Sequence, residues 1–362
     1  MQLTRKKKTD AIAGLEIEAD SVAAAEVTLN GSARVGAAGV EQLAAGAFHE
    51  GEIAEPDAVA EALKALFSRS KLPKQVRVGL GNQGVVVRNL RLPAIEDPKE
   101  LDAAIRFQAQ EQMPMPLDQA VLEHQVVGGV PAEEGAPAQI DVVVVAARRE
   151  MVSVFLQPIR RAGLEPVGVD LSAFGMIRAL ADTVPPQVDP QTGEQRAASG
   201  AVLYCSLGDV TNLAVARNRS CLFTRVSYAG LGSIAELLAA SRGLSQEHAL
   251  QWLSHVGLEA PVGEVEGDPG VVGETREALE MGVAALIDDL RLSLDYYRAQ
   301  ESAIPIERVA ACGPGSAIAG FATRVEGGLG LPVACVRPPA LGELDDRLAA
   351  RLTLPYGLAL EH

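Results

Sequence analysis

The sequence has 362 residues, 48% hydrophobic and 4% aromatic, with mean hydropathy +0.13 and a formal net charge of −15 from 47 acids against 32 lysines and arginines. That length and apolar share predict a core divided among two or more units. The acidic balance, with one basic run at Arg5-Lys6-Lys7-Lys8, excludes nucleic acid as a partner. No apolar run reaches the roughly 20 residues that span a bilayer, and Cys205, Cys221, Cys312 and Cys335 are too scattered for a metal or disulfide framework. They read as reduced core residues of a cytoplasmic protein, so work at a membrane requires a recruiting partner.

In chain order, residues 11–39 read as three strands of an antiparallel meander, broken at Glu18-Ala19-Asp20 and at the hairpin pair Asn30-Gly31. Val59, Ala62, Leu63, Leu66 and Phe67 then mark one face of a helix with Pro56 in its first turn. A buried strand follows at 76–81. From Val85 a strand leads to Asp97-Pro98-Lys99-Glu100, a helix start with its cap. That helix ends before Pro114, where Met113-Pro114-Met115-Pro116-Leu117 reads as a core-sealing turn. A strand at 139–147 and a helix at 149–163 close an inserted βαβα unit, and 165–180 supplies a further strand and helix.

Residues 184–200 are rich in Pro, Gly and polar side chains and read as a linker. Beyond it the pattern restarts with the hairpin "YCSLGDVTNLAVA" at 204–216, helices near 231–255, a polar loop at 259–274, and a long helix carrying Leu279, Val283, Leu286, Leu290 and Leu294. A strand at 307–313, the turn Gly313-Pro314-Gly315, a helix and a last strand at 332–336 complete it. Two halves with the same opening imply an internal duplication with a cleft between them. Five histidines occur singly; His248 and His255 share a helix but lack a third ligand, so no metal site is read.

The stretches 87–127, 142–180 and 309–333, above all "EQMPMPLDQAVLEH" and "AARRE…AGLEPVGVDLSAF", resemble the PilM family of actin-like, FtsA-related type IV pilus assembly proteins. The resemblance implies an α/β, actin-like (ribonuclease H-like) duplicated fold with an inserted 1C subdomain. Its divisions are 1A at 1–84 and 164–183, 1C at 85–163, a linker at 184–200, 2A at 201–230 and 301–362, and 2B at 231–300. It further implies a scaffold that binds the N-terminal tail of a PilN-like inner-membrane protein between 1A and 1C. That scaffold contacts a pilus motor ATPase, self-associates, and reaches the membrane only through its partner.

For ATP with Mg, the resemblance implies contacts from Gly14, Glu16 and Ser21 on the first hairpin, Gly208, Asp209, Thr211 and Asn212 on the second, and Gly313, Gly315 and Ser316 at the adenosine turn. The chain departs from the family pattern at Glu18, which replaces a close-approach glycine, at Ala23 in the lysine region, at Ser206 for the metal-side acid, and at Leu250 and Leu253 for a Glu-x-x-Lys pair. A carboxylate facing phosphates is repulsive by about 1 to 4 kcal/mol. The expectation is a degenerate cleft with no catalytic or metal-ligating residue. The alternatives are an ATP-binding switch of the same machine and, behind it, an actin-superfamily small-molecule kinase.

Overall fold

The computed structural model describes residues 11–30, 32–132, 137–184, 187–188, 195–196, 200–300 and 303–360. The basic run at 5–8, Gly31 and most of the 184–200 segment lie outside them; Gln187–Val188 pairs antiparallel with Gln195–Arg196.

The first sheet opens with β1 (Ala13–Ile17), β2 (Ser21–Asn30) and β3 (Ser32–Gln42) as an antiparallel meander. Helix α1 (Pro56–Ser70) buries Val59, Leu63, Leu66 and Phe67, and β4 (Gln75–Leu80) returns parallel to β1. The chain then builds a separate layer from β5 (Val85–Pro93), α2 (Pro98–Gln112), β6 (Ala120–Val130) and β7 (Gln139–Arg148), an antiparallel sheet in the order β5-β7-β6. Asp97 caps α2, its carboxylate accepting from the Lys99 and Glu100 amides. Met113, with Met115 and Leu117 behind it, seals the small core under α2. Strand β6 is additional to the expected βαβα: as an edge strand it exposes Glu123, His124, Gln125 and Val126 in succession, so the period-2 signal is missing.

Helix α3 (Arg149–Arg161) turns back, and its Phe155, Leu156 and Ile159 enter the core beneath the first sheet. The inserted sheet therefore closes at Arg148 rather than at 163, because the apolar stripe of α3 finds α1 and not the insert. Next, β8 (Glu165–Leu171) adds to β4 as a parallel edge strand and α4 (Ser172–Leu180) follows.

The second half comprises β9 (Ala201–Leu207), β10 (Thr211–Arg217), β11 (Ser220–Ser227), α5 (Leu231–Arg242), α6 (Gln246–Val256) and α7 (Pro269–Arg298). It continues through β12 (Ile306–Cys312), α8 (Phe321–Leu329), β13 (Val333–Cys335) and α9 (Asp346–Ala359). Its sheet order, β11-β10-β9-β12-β13, repeats β3-β2-β1-β4-β8 with the antiparallel and parallel pairs in matching places. The α7 helix starts inside the expected loop, because Asp268 caps it by accepting from the Gly270 and Val271 amides.

Helices α4 and α9 lie between the two sheets: Met176, Ile177 and Leu180, with Leu352 and Tyr356, share one core with Ala23 and Ala25 of β2 and Tyr204 and Ala214 of the second sheet. From sequence, residues 301–362 belong to the second half; α9 instead packs along β1. Gly14 admits it, since a Cβ there would stand 1.9 Å from the Pro355 carbonyl oxygen. Cys335 is exposed, unlike the other three cysteines. Among the described residues no helix is long and apolar enough to cross a membrane.

Candidate functional site

Strands β1 and β9 each turn over at the cleft between the halves. At the first hairpin the Glu18 N–H donates to the Ser21 carbonyl at 2.8 Å, leaving Ala19-Asp20 as the tip. At the second, Gly208-Asp209-Val210 links Leu207 to Thr211, which pair across the strands. A third turn follows β12, where Gly313 takes φ +84°, a conformation glycine adopts without penalty. Ser316 Oγ donates to the Gly313 carbonyl at 2.6 Å. Cβ atoms at Gly313 and Gly315 would stand 2.9 Å and 2.8 Å from Leu207 atoms, so β9 fixes this turn.

The side chains at the floor of the cleft are mostly carboxylates. Glu16 is buried and accepts from Ser172 Oγ at 2.7 Å, while its Oε2 has no hydrogen-bond partner and abuts Gly79. Burial lifts its pKa to about 8, opposed by the Ser172 bond and assisted by Glu18. Glu18 lies over the second hairpin: a Cβ on Gly208 would be 2.1 Å from its Oε1. Burial raises it to about 7 against the pull of Arg351, with Asp20 and Asp209 adding to the rise and the Asp209 backbone amide holding it down. Asp209 reaches over Gly232 at the start of α5, where a Cβ would meet its Oδ1 at 1.8 Å. Burial, Asp20 and Glu236 raise it to about 6, while His49 and the Ala19 amide oppose the rise.

Among the described residues the guanidinium of Arg351 answers this group. Arg351 of α9 donates through both terminal nitrogens to Asp20, at 2.9 Å to Oδ1 and more closely to Oδ2, also reaches Ser21 Oγ, and stands 3.5 Å from Glu18. Ser21 Oγ donates to Asp20 Oδ1 at 3.0 Å. The void enclosed by Glu16, Glu18, Ser21, Ser206, Gly313 and Arg351 is about 10 Å³, room for one water. Above it the cleft opens to about 450 Å³ between Val40 and Leu43 on one side and Glu247, Leu250 and Gln251 of α6 on the other. Leu253, expected there, is instead buried in the second core.

The structure thus gathers Glu16, Ser21, Gly208, Asp209 and Gly313 at the floor, with Gly315 and Ser316 behind the third turn. Thr211 donates to the Ala229 carbonyl at 2.7 Å. Asn212 is buried beneath Gly81 and lines a separate cavity of about 240 Å³. Gly14 lies under α9. Sequence reasoning missed Arg351, which stands 331 residues from Asp20 and carries no local signal. The residues at the floor do not fit a triphosphate as arranged: four carboxylates face one guanidinium, and Glu18 covers the glycine that a phosphate would approach.

A second concavity, of about 710 Å³, runs between the insert and the first half and also touches Arg219, Ser220 and Cys221 of the second half. Its walls are the outer edge of β6, including residues 123–127, the face of β7 at Val143 and Val145, the edge of β8 at Val169 to Leu171, and Phe174 and Ile177 of α4. Both β6 and β8 are terminal strands of their sheets, and Val126 and Val169 are 46% and 39% exposed. At its base Arg178 pairs with Asp170 and donates from Nε to the Gly357 carbonyl at 3.0 Å. Among the described residues no set of three His, Cys, Asp or Glu is arranged to hold a metal.

Known proteins place this architecture. A solved structure titled PilM-PilN type IV pilus biogenesis complex is similar over 96% of this chain and 97% of its own, at 25% identity and TM-score 0.75. The ethanolamine utilization protein EutJ from Carboxydothermus hydrogenoformans shares 12% identity at TM-score 0.52, over 96% of this chain and 88% of its own. MreB5 of Spiroplasma citri, solved bound to ADP, shares 12% identity at TM-score 0.50, over 96% and 95%. The fold is actin-like. Residues 14–359 match the family model of type IV pilus assembly protein PilM, and the chain belongs to that family.

Proposed function

We propose that the chain serves type IV pilus assembly as a scaffold without ATP turnover, holding the N-terminal tail of a PilN-like membrane protein in the groove between the insert and the first half. The groove carries this reading. Two open strand edges offer unpaired backbone groups to an extended peptide, and the valines with Phe174 give its alternate side chains apolar seats. The 25% identical complex, in which a PilM assembles with PilN, supports the choice of partner. Held by that tail, the chain sits at the cytoplasmic side of the inner membrane and hands the contact on to a pilus motor ATPase.

The test is fluorescence anisotropy with a synthetic peptide of the PilN-like tail from the same pilus system. Binding should weaken at least tenfold in Val145→Glu and in Phe174→Asp. Equal binding by wild type and both variants refutes the groove. The 450 Å³ cleft favours a second reading, an ATP-driven switch; it requires that Mg-ATP bind and change the peptide's affinity.

A further inference from the structure

The two hairpins that face the cleft are occupied by the protein's own carboxylates. Glu18, from the first half, covers Gly208 of the second, and the Asp209 amide stabilises its charge. Asp209, from the second half, is raised by burial and by Asp20 of the first half, and the Ala19 amide of the first half offsets part of that rise. Each tip therefore directs a carboxyl at the other tip's backbone, where oriented N–H groups favour its charged form against the burial that raises both groups. Arg351 is the counter-charge, tied to Asp20 and 3.5 Å from Glu18.

We propose that Glu18, Asp209 and Arg351 form an internal latch: the carboxylates take the places of bound phosphates, the guanidinium takes the place of a bound cation, and the halves stay closed without nucleotide. The titratable and charged groups that face it come from several elements. Glu18 is faced by Arg351 from α9, by Asp20 from its own hairpin, by Glu16 from β1 and by Asp209 from across the cleft. Asp209 is faced by Asp20, by Glu236 on α5 and by His49. An entering triphosphate would have to displace two carboxylates and add its charge to theirs. Removing the two carboxylates uncovers the hairpin amides and leaves Arg351 paired with Asp20 beside them.

The latch is reciprocal, and reciprocity is what the experiment reads. Hydrogen exchange followed by mass spectrometry on the full chain compares the segments spanning 17–21 and 207–211 in wild type, Glu18→Ala and Asp209→Ala. Glu18→Ala should speed exchange at 207–211 at least tenfold, and Asp209→Ala should do the same at 17–21, with the inserted sheet at 85–148 unchanged. Loss of protection only in the hairpin that carries the substitution overturns the latch. Should either alanine variant misfold, Glu18→Gln and Asp209→Asn keep the side-chain volume and should give the same pattern at smaller amplitude. In parallel, millimolar Mg-ATP should leave exchange at both hairpins of wild type unchanged and slow it in Glu18→Gly. Slowing in wild type overturns the proposal.

Discussion

Replacing Glu16 by glutamine tests the electrostatics of the cleft floor at its most buried point. Its carboxyl titrates near 8 rather than 4.5, chiefly because burial disfavours the charged form. At about 1.4 kcal/mol per pH unit, that rise has a ceiling of roughly 5 kcal/mol. Between pH 4.5 and about 8 the folded chain holds a proton here that the unfolded chain releases, so this group's contribution to stability falls as pH rises through that window. Glutamine still accepts from Ser172 Oγ and never ionises. Urea unfolding of both proteins at pH 5 and pH 8.5 should give near-equal stability at pH 5 and a variant more stable by about 2 to 5 kcal/mol at pH 8.5. A difference that is the same at both pH values, or that shrinks as pH rises, refutes the assignment of a buried, uncompensated carboxyl.

Gly14→Ala places a methyl 1.9 Å from the Pro355 carbonyl and 2.7 Å from the Ala359 amide. Backbone cannot yield there cheaply, so α9 should lift, with a loss of about 3 kcal/mol or more in urea unfolding; an unchanged midpoint contradicts this packing. Arg178→Ala leaves Asp170 with a broken ion pair at a site where both partners are about a tenth exposed. The expected cost is about 3 to 5 kcal/mol, read as a lowered urea midpoint, and a cost below 1 kcal/mol counts against a desolvated pair. Asp268→Ala removes the cap of α7 and should cost about 1 kcal/mol, with faster hydrogen exchange confined to the first turn at 269–272.

The elements legible in the sequence carry their own periodicity: the meander of β1 to β3, the capped start at Asp97-Pro98, and the stripe from Leu279 to Leu294. Elements whose identity depends on distant neighbours were not. The stripe of α3 says that it is buried but not in which core, β6 shows no alternation because it is an edge, and Pro355 interrupts the helical pattern of α9. The site divides in the same way. The glycine turns and the substitution at Glu18 stand in the sequence, but the meaning of Glu18 depends on Gly208 lying under it and on Arg351 arriving from α9. Thr211 and Asn212 matched a hairpin pattern, yet strand register turns Asn212 toward Gly81 and ties Thr211 to Ala229.

The placement of α9 has a consequence for the order in which this chain matures. Asp20 and Arg351 are separated by 331 residues, and at ribosomal rates of about 5 to 20 residues per second that separation is roughly 15 to 70 s of synthesis. Throughout that interval the inner face of the first sheet, with Ala23, Ala25 and Val27, lacks the helix that covers it. The half of the molecule made first is therefore finished last, and a nascent chain interrupted before Asp346 presents an uncovered apolar sheet to whatever chaperones attend it.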